Sequence, residues 1–188
     1  MFIDSTRRRQ VQLPNPLEGI PRVSSIKILG VTVSSHLSVS EHVSSVIGRC
    51  AQTIHALRIL RSQGLCDEAI HHVYKSVIIG KLLYAVSAWW GFASAADRQR
   101  LQALLQRGIR SGLCSPETPN LTELAESIDD ALFQRIMHNP YVIHHLLAAR
   151  RELAYNIRQR HHDRQLSIIS GQLRNRNFIY RMLFKDCY

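Results

Sequence analysis

The stretch that most constrains this chain is residues 67–90. There Ile70, Val73, Tyr74, Val77, Ile78, Leu82, Leu83, Val86 and Trp90 recur at helical spacing, with further apolar residues between them. A helix apolar around most of its circumference has to be buried, with other helices packed on several sides. Tyr84, Trp89 and Trp90 read as core residues on that basis. A short break at residues 91–93 follows, and then a second, amphipathic helix. The remaining sequence must supply partners for the apolar helix, or surface built on those partners.

Partners are present on both sides. Upstream, Ser38 or Ser40 is an N-cap candidate with Glu41 in the first turn. Val43, Val46, Ile47, Cys50, Ile54, Leu57 and Leu60 or Ile59 then mark one helix face, and Gly64 is a natural stop. Asp67 opens the central helix. Downstream, Ser94 with Asp97 three residues on forms a capping-box variant ahead of the stripe Leu101, Leu104, Leu105 and Ile109, which Gly112 ends. Residues 115–119, SPETP, are a loop. Thr122 then caps a helix carrying Leu124 or Ala125, Ile128, Leu132 and Ile136, with Glu126, Asp129 and Asp130 on its polar side. Pro140 limits it, and a short helix is expected over residues 142–151. At the other end of the chain, Pro14, Pro16 and Pro21 exclude a helix and suggest turns joining short strands. Residues 25–35, SIKILGVTVSS, read as a strand in which Gly30 marks a bulge or a close backbone approach.

Charge indicates what such an assembly would meet. Lys and Arg number 24 against 14 Asp and Glu, a net charge of +10. The natural partner is a polyanion, nucleic acid first and an acidic membrane surface second; a generically basic soluble protein is the plainer alternative. Arg49, Arg58 and Arg61 fall on the first helix, and Arg98, Arg100, Arg107 and Arg110 on the third. Arginine suits phosphate because its planar fork binds two oxygens at once. Salt-sensitive backbone binding without base readout would follow, unless these arginines are simply solvated helix faces. Residues 150–188 add nine Lys/Arg against three acids, interleaved with Tyr155, Phe178, Tyr180, Phe184 and Tyr188. Within that tail Phe178, Met182 and Leu183 are spaced for a small apolar face.

Other classes of function find little support. The longest near-apolar run, residues 77–92, contains Lys81 and is too short for a membrane span, so no membrane partner is expected. Cys50, Cys66, Cys114 and Cys187 lie far apart, in neither a zinc nor a disulfide pattern, and the start of the chain is polar within four residues. An intracellular protein with reduced thiols is the expectation. Asp129-Asp130 resembles a magnesium-binding carboxylate pair only superficially, because it lies inside a helical pattern without an aromatic residue two positions before it. The doublets His71-His72, His144-His145 and His161-His162 point about 100° apart on a helix and do not converge on one metal. Nucleophile elbows, phosphate loops and dinucleotide fingerprints are missing, so neither a catalytic nor a metal-binding residue is expected.

Several motifs do carry a resemblance. IKILGVTVSSHLSVSEHV (residues 26–43) is similar to the signature that follows the palm of jockey-type non-LTR retrotransposon reverse transcriptases. LLYAVSAWWG (82–91) and RLQALLQRGIR (100–110) resemble the next motifs of those proteins, in the same order. NPYVIHHLLAAR (139–150), AYNIRQRHHDRQL (154–166) and RNFIYRMLFKDCY (176–188) resemble their extreme C-termini. Two positions depart: Ile28 stands where the family has an aromatic residue before Leu-Gly, and Leu146-Leu147-Ala148 replaces Leu-Leu-Pro.

The resemblance implies the post-palm part of a polymerase: a primer-grip hairpin, a helical thumb and a C-terminal connection. The family's magnesium-binding aspartates would lie upstream, in the missing fingers and palm. The chain would then be no enzyme on its own and hold no cofactor, magnesium belonging only to a full-length parent. Near Leu29-Gly30-Val31 the hairpin would contact the primer end, and the helices would track an RNA–DNA hybrid. The residues expected to meet nucleic acid are Lys27, Gly30, Arg49, Arg58, Arg61, Arg98 and Arg107. A nuclear location is the family expectation. The expected fold is mainly α, a thumb-like helical bundle preceded by a small antiparallel β-hairpin region and followed by a basic C-terminal extension. Its expected divisions are residues 1–37, 38–114 and 115–188. A non-functional remnant of a degenerate transposon copy and a protein-interaction module are the alternatives.

Overall fold

A computed structural model of the chain describes residues 18–139, 144–150, 162–166 and 175–185. These fall into two compact units, one of Met1–Ala85 with Phe92–Leu121 and one of Val86–Gly91 with Thr122–Tyr188. The fold is mainly helical, with a two-stranded antiparallel hairpin near the N-terminus.

In the first unit β1 (Ser25–Ile28) pairs with β2 (Val31–Ser34), Ile28 opposite Val31. The stretch read as one strand therefore folds back on itself at Leu29–Gly30. Both turn residues have positive φ, 45° and 88°, as a two-residue loop with the right twist demands. Glycine adopts this freely, whereas Leu29 is strained by about 1–2 kcal/mol. A Leu-Gly pair lacks the usual Asn-Gly signal, so the residue pattern alone read as one strand, whereas the hairpin that the resemblance implied near Leu29-Gly30-Val31 is present.

Helix α1 (Ser40–Ser62) buries Val43, Cys50, Ile54 and Leu57, while Ile59 and Leu60 stay exposed. Its N-cap is Val39 rather than a serine: the Ser38 hydroxyl accepts the Ser40 N–H at 3.3 Å, and the Ser40 hydroxyl is committed elsewhere. At the other end Gly64 takes φ 95°, and Leu65 N–H reaches Leu60 O while Gly64 N–H reaches Arg61 O. This paired closure satisfies carbonyls the helix leaves open.

The apolar stretch departs from expectation in two ways. It is α-helical as α2 (Asp67–Val73), turns π-helical over Tyr74–Ile79, and resumes as α3 (Gly80–Leu83). It then breaks at Tyr84 and Ala85, where Ala85 has φ 50°, before α4 (Val86–Trp89) and a 3-10 turn Trp90–Phe92. Nor is it buried all round. Ile70, Tyr74, Ile78 and Leu82 are fully buried, whereas Glu68, His71, His72, Lys75, Ser76 and Lys81 are exposed. Residues four apart drift about 40° per step on an α-helix. The slower-winding π segment in the middle turns that drift back, so a spacing of four throughout keeps to one side.

Helix α5 (Ala95–Arg110) starts at the expected capping box: Asp97 N–H donates to Ser94 Oγ, and Ser94 N–H to the Asp97 carboxylate. It buries Leu101, Leu104, Leu105 and Gly108 and ends at Gly112 with the same paired closure as α1. Helix α1 packs against α5, β2 and the α2–α3 stretch. Ser40 at the start of α1 meets Asp97 at the start of α5, and Arg58 and Arg61 at its end meet Ser111 at the end of α5. The two helices therefore run parallel.

The second unit is organised by α6 (Leu121–His138) and α7 (Phe178–Leu183). Helix α6 begins at Leu121, so Thr122 lies inside its first turn instead of capping it. Phe133, Ile136, Leu147, Met182 and Leu183 form the apolar cluster, as the spacing of Phe178, Met182 and Leu183 suggested. Trp89 and Trp90 are buried, in edge-to-face contact with each other at 5.9 Å. The helix expected over 142–151 is replaced, among the described residues, by a 3-10 turn His144–Leu146. Beyond it Arg150 bridges Arg164, and Gln165 N–H donates to Ala149 O, so these backbone groups pair across chain segments and not within a helix. Val142, Ile143 and Arg151 lie outside the described residues, as do residues 11–16, Tyr155, His161, Cys187 and Tyr188.

Candidate nucleic-acid interface

Lys27 is exposed on β1, opposite Thr32. His42 is buried one turn into α1, and Arg49, seven residues on and exposed, lies on the same side of that helix. Burial first, and then the positive charges of Arg49 and Lys27, hold the His42 imidazole below its ordinary pKa. The hairpin and α1 thus bring Lys27 and Arg49 to bear on one point. Four residues beyond Arg49, Thr53 receives a hydrogen bond at 3.4 Å from the Lys81 ammonium of α3. Residues 42, 49 and 53 share one side of α1, so Lys27 and Arg49 through His42, and Lys81 through Thr53, all neighbour that side. Lys81 was not singled out as a site residue, although a lone lysine in an apolar run was the signal available.

The other expected residues are placed differently. Arg58 Nη2 donates to Ser111 Oγ at 2.7 Å and Arg61 Nη1 to Ser111 O at 2.8 Å. Arg61 Nε also lies 3.2 Å from Asp67, and the His71 ring is 3.2 Å from Gly112 O. Together these side chains surround the C-terminal end of α5, where open carbonyls and the helix dipole attract cations. Twelve residues of helix separate Arg61 from Arg49, about 18 Å. On α5 itself Arg98 is half-buried and Arg107 exposed. Arg100 lies 3.4 Å from Asp97 and donates to Ser44 Oγ at 3.1 Å.

Gly30 forms the hairpin tip with Leu29, and a Cβ there would stand 3.4 Å from the Tyr84 ring. Tyr84 is not core: the residue is 55% exposed, and its hydroxyl donates to Leu29 O at 3.0 Å. Two residues past Leu82, the side chain points away from the apolar side of the preceding helix.

In the second unit the described cations of the basic tail are largely occupied within the fold. Arg150 pairs with Asp163, Lys185 with Asp130 at 2.7 Å, and Arg181 Nη1 lies 2.9 Å from Asp129 Oδ2. Arg164 is buried and donates to Ala148 O. Asp129, read as part of a polar helix face, is in fact only 2% exposed. The carboxylate pair serves to hold α7 against α6.

Among the described residues no group of three or more His, Cys, Asp or Glu could hold a metal ion, and no helix is long and apolar enough to cross a membrane. Cys50, Cys66 and Cys114 are free thiols.

No family model and no solved structure matches the chain. Among curated proteins it is 30% identical over 105 residues to an RNA-directed DNA polymerase from transposon BS of Drosophila melanogaster, a match covering 54% of this chain and 12% of that protein. It is 28% identical over 117 residues to a 115 kDa protein in the type-1 retrotransposable element R1DM of the same organism, covering 61% of this chain and 12% of the other. The chain thus corresponds to only a small part of the length of these relatives.

Proposed function

We propose that this chain, a region related to non-LTR retrotransposon reverse transcriptases, is the post-palm part of such a polymerase, of the jockey type, and holds the backbone of an RNA–DNA hybrid. In this reading α1, α5 and the α2–α3 stretch are a thumb, and the hairpin tip at Leu29 and Gly30 stands at the primer end. The chain performs no chemistry of its own, and magnesium belongs to the fingers and palm of a full-length parent acting in the nucleus. The observation that carries the proposal is the gathering of Lys27, Arg49 and Lys81 beside one side of α1. Cations gathered from three elements on one side of a helix suit a row of phosphates, contacts to which position a duplex without reading its sequence. Arg98 and Arg107 on α5 are the candidates for extending the contact.

Filter binding of the purified chain to an RNA–DNA hybrid across a salt series tests this. Three phosphate contacts give a log–log salt slope of about −3. Affinity no better than millimolar at low salt, or a flat salt response, overturns the proposal. A polymerase assay on the isolated chain is expected to show no nucleotide incorporation. A second reading, a protein-interaction module, is favoured by one observation: Ile28 and Leu29 are 55% and 85% exposed on the hairpin. Concentration-dependent oligomers in sedimentation would support it.

A further inference from the structure

The strand that carries Lys27 has a weak hold on the rest of its unit. Val31 on β2 is buried, and β2 packs on α1, whereas Ile26, Lys27, Ile28 and Leu29 on the β1 side are all exposed. Two strands alone are marginally stable in water. At the tip, however, the strained Leu29 carbonyl accepts a hydrogen bond from Tyr84, 55 residues away in sequence, and the Tyr84 ring lies against Gly30. Tyr84 itself stands at the end of α3, two residues past the buried Leu82 and so on the opposite side of the helix, just before the positive-φ residue Ala85. An exposed aromatic ring and two left-handed residues on either side of one hydrogen bond make a brace between the helix end and the hairpin tip. Residues kept in sparsely populated backbone regions gather where geometry serves a site.

We infer that Tyr84 is the positioning residue of the nucleic-acid interface: its hydroxyl fixes the Leu29–Gly30 tip and thereby sets where Lys27 stands relative to Arg49 when a sugar–phosphate backbone is bound. The inference rests on the proposed nucleic-acid reading. Tyr84 touches the hairpin and Lys27 touches the phosphate; the tyrosine acts through the lysine. Gly30 serves the same tip, since φ 88° is a conformation that residues with a side chain rarely adopt.

The test compares Tyr84→Phe, Lys27→Gln and the double variant in the full chain, with an RNA–DNA hybrid as probe in filter binding across salt. Tyr84→Phe removes one hydrogen bond and keeps the ring. It is expected to leave the melting temperature unchanged and weaken binding about threefold to tenfold. The salt slope should become shallower by up to about one. Added to Lys27→Gln, it should cost nothing further. In the free protein, trypsin should cut after Lys27 faster in Tyr84→Phe than in the wild type. Losses that add in the double variant, or a lowered melting temperature with an unchanged salt slope, overturn the inference. Wild-type binding with Tyr84→Phe indistinguishable from it overturns this inference alone. A wild-type chain without salt-dependent binding overturns the underlying reading and this inference with it.

Discussion

Tyr74 is wholly buried, and the room for its ring and hydroxyl exists because position 108 has no side chain: a Cβ on Gly108 would overlap both. Gly108→Ala should therefore destabilise the unit by about 1–3 kcal/mol, read as a lower urea midpoint. The buried Tyr74 hydroxyl has no hydrogen-bond partner among the described residues. Tyr74→Phe should accordingly be neutral or stabilising, since it removes an unsatisfied group instead of a bond. Burial, then the neighbouring Cys114 and Cys50 thiols, push the phenol well above its ordinary pKa. The folded state thus favours the protonated form, and this contribution, complete below the unfolded phenol pKa of about 10, is lost as pH rises beyond it. Wild type should lose stability between pH 9 and 11 more steeply than Tyr74→Phe, by denaturant titration. At this scale Tyr74 was legible as core from its spacing. Gly108 was not, because a glycine within a helix reads as a cost until its neighbour is known. Tyr84 sits between apolar residues, which hid that its position two residues past the buried Leu82 faces outward.

At the scale of elements, the parallel run of α1 and α5 places like dipole ends together, which is unfavourable unless charge compensates. Asp97 does so at the two N-termini, accepting from Ser40 at 2.7 Å and from Ser94. Burial works to raise its pKa, but the hydrogen bonds from Ser40 and Ser94 and the charge of Arg100 hold it below the usual carboxylate value. Asp97→Ala should cost about 1–3 kcal/mol at neutral pH. The stabilisation is present above the unfolded carboxylate pKa of about 4 and fades as pH falls through the folded value, so wild type and variant should converge in acid. Arg58 and Arg61 supply the matching charge at the C-terminal end. The capping box was legible because its residues are three apart; the Ser40 link, 57 residues distant, was not. The α6–α7 contacts offer a contrast in burial. Arg181→Met leaves the buried Asp129 carboxylate without its cation and should cost about 3–5 kcal/mol. Lys185→Met opens a partly exposed pair and should cost under about 1 kcal/mol. Thermal melts of the two variants would separate them.

For the molecule as a whole, the helices and their stripes could be read from the sequence, but the division of labour among its arginines could not. Of the seven residues expected to face nucleic acid, five arginines rest on charge and position on a helix, and Lys27 and Gly30 on the hairpin stretch. Packing then commits Arg58 and Arg61 to the end of α5 and gathers Lys27 and Arg49 with Lys81. Substituting Lys27, Arg49 or Lys81 by Gln should each reduce the salt slope of hybrid binding by about one. Arg58→Gln should leave that slope alone and lower stability by up to about 1 kcal/mol, a difference visible when binding and melting are measured on the same preparations. The basic tail shows the same rule: its charge suggested a partner, and its geometry supplies carboxylates from within.

Parallel pairing of α1 and α5 also governs the order in which the first unit can form. Two helices pointing the same way need a return path between them, and the α2–α3 stretch is that path. The ties joining them, Ser40 to Asp97 and Arg58 to Ser111, close loops of more than fifty residues. Loop-closure entropy has to be met before such contacts stabilise anything, which slows folding relative to an antiparallel hairpin of helices. On the ribosome α1 can meet β2 and the α2–α3 stretch early, but it lacks its α5 partner until residues 95–110 have been synthesised. A nascent chain stalled ahead of Ser94 would present α1 without the α5 side of its packing.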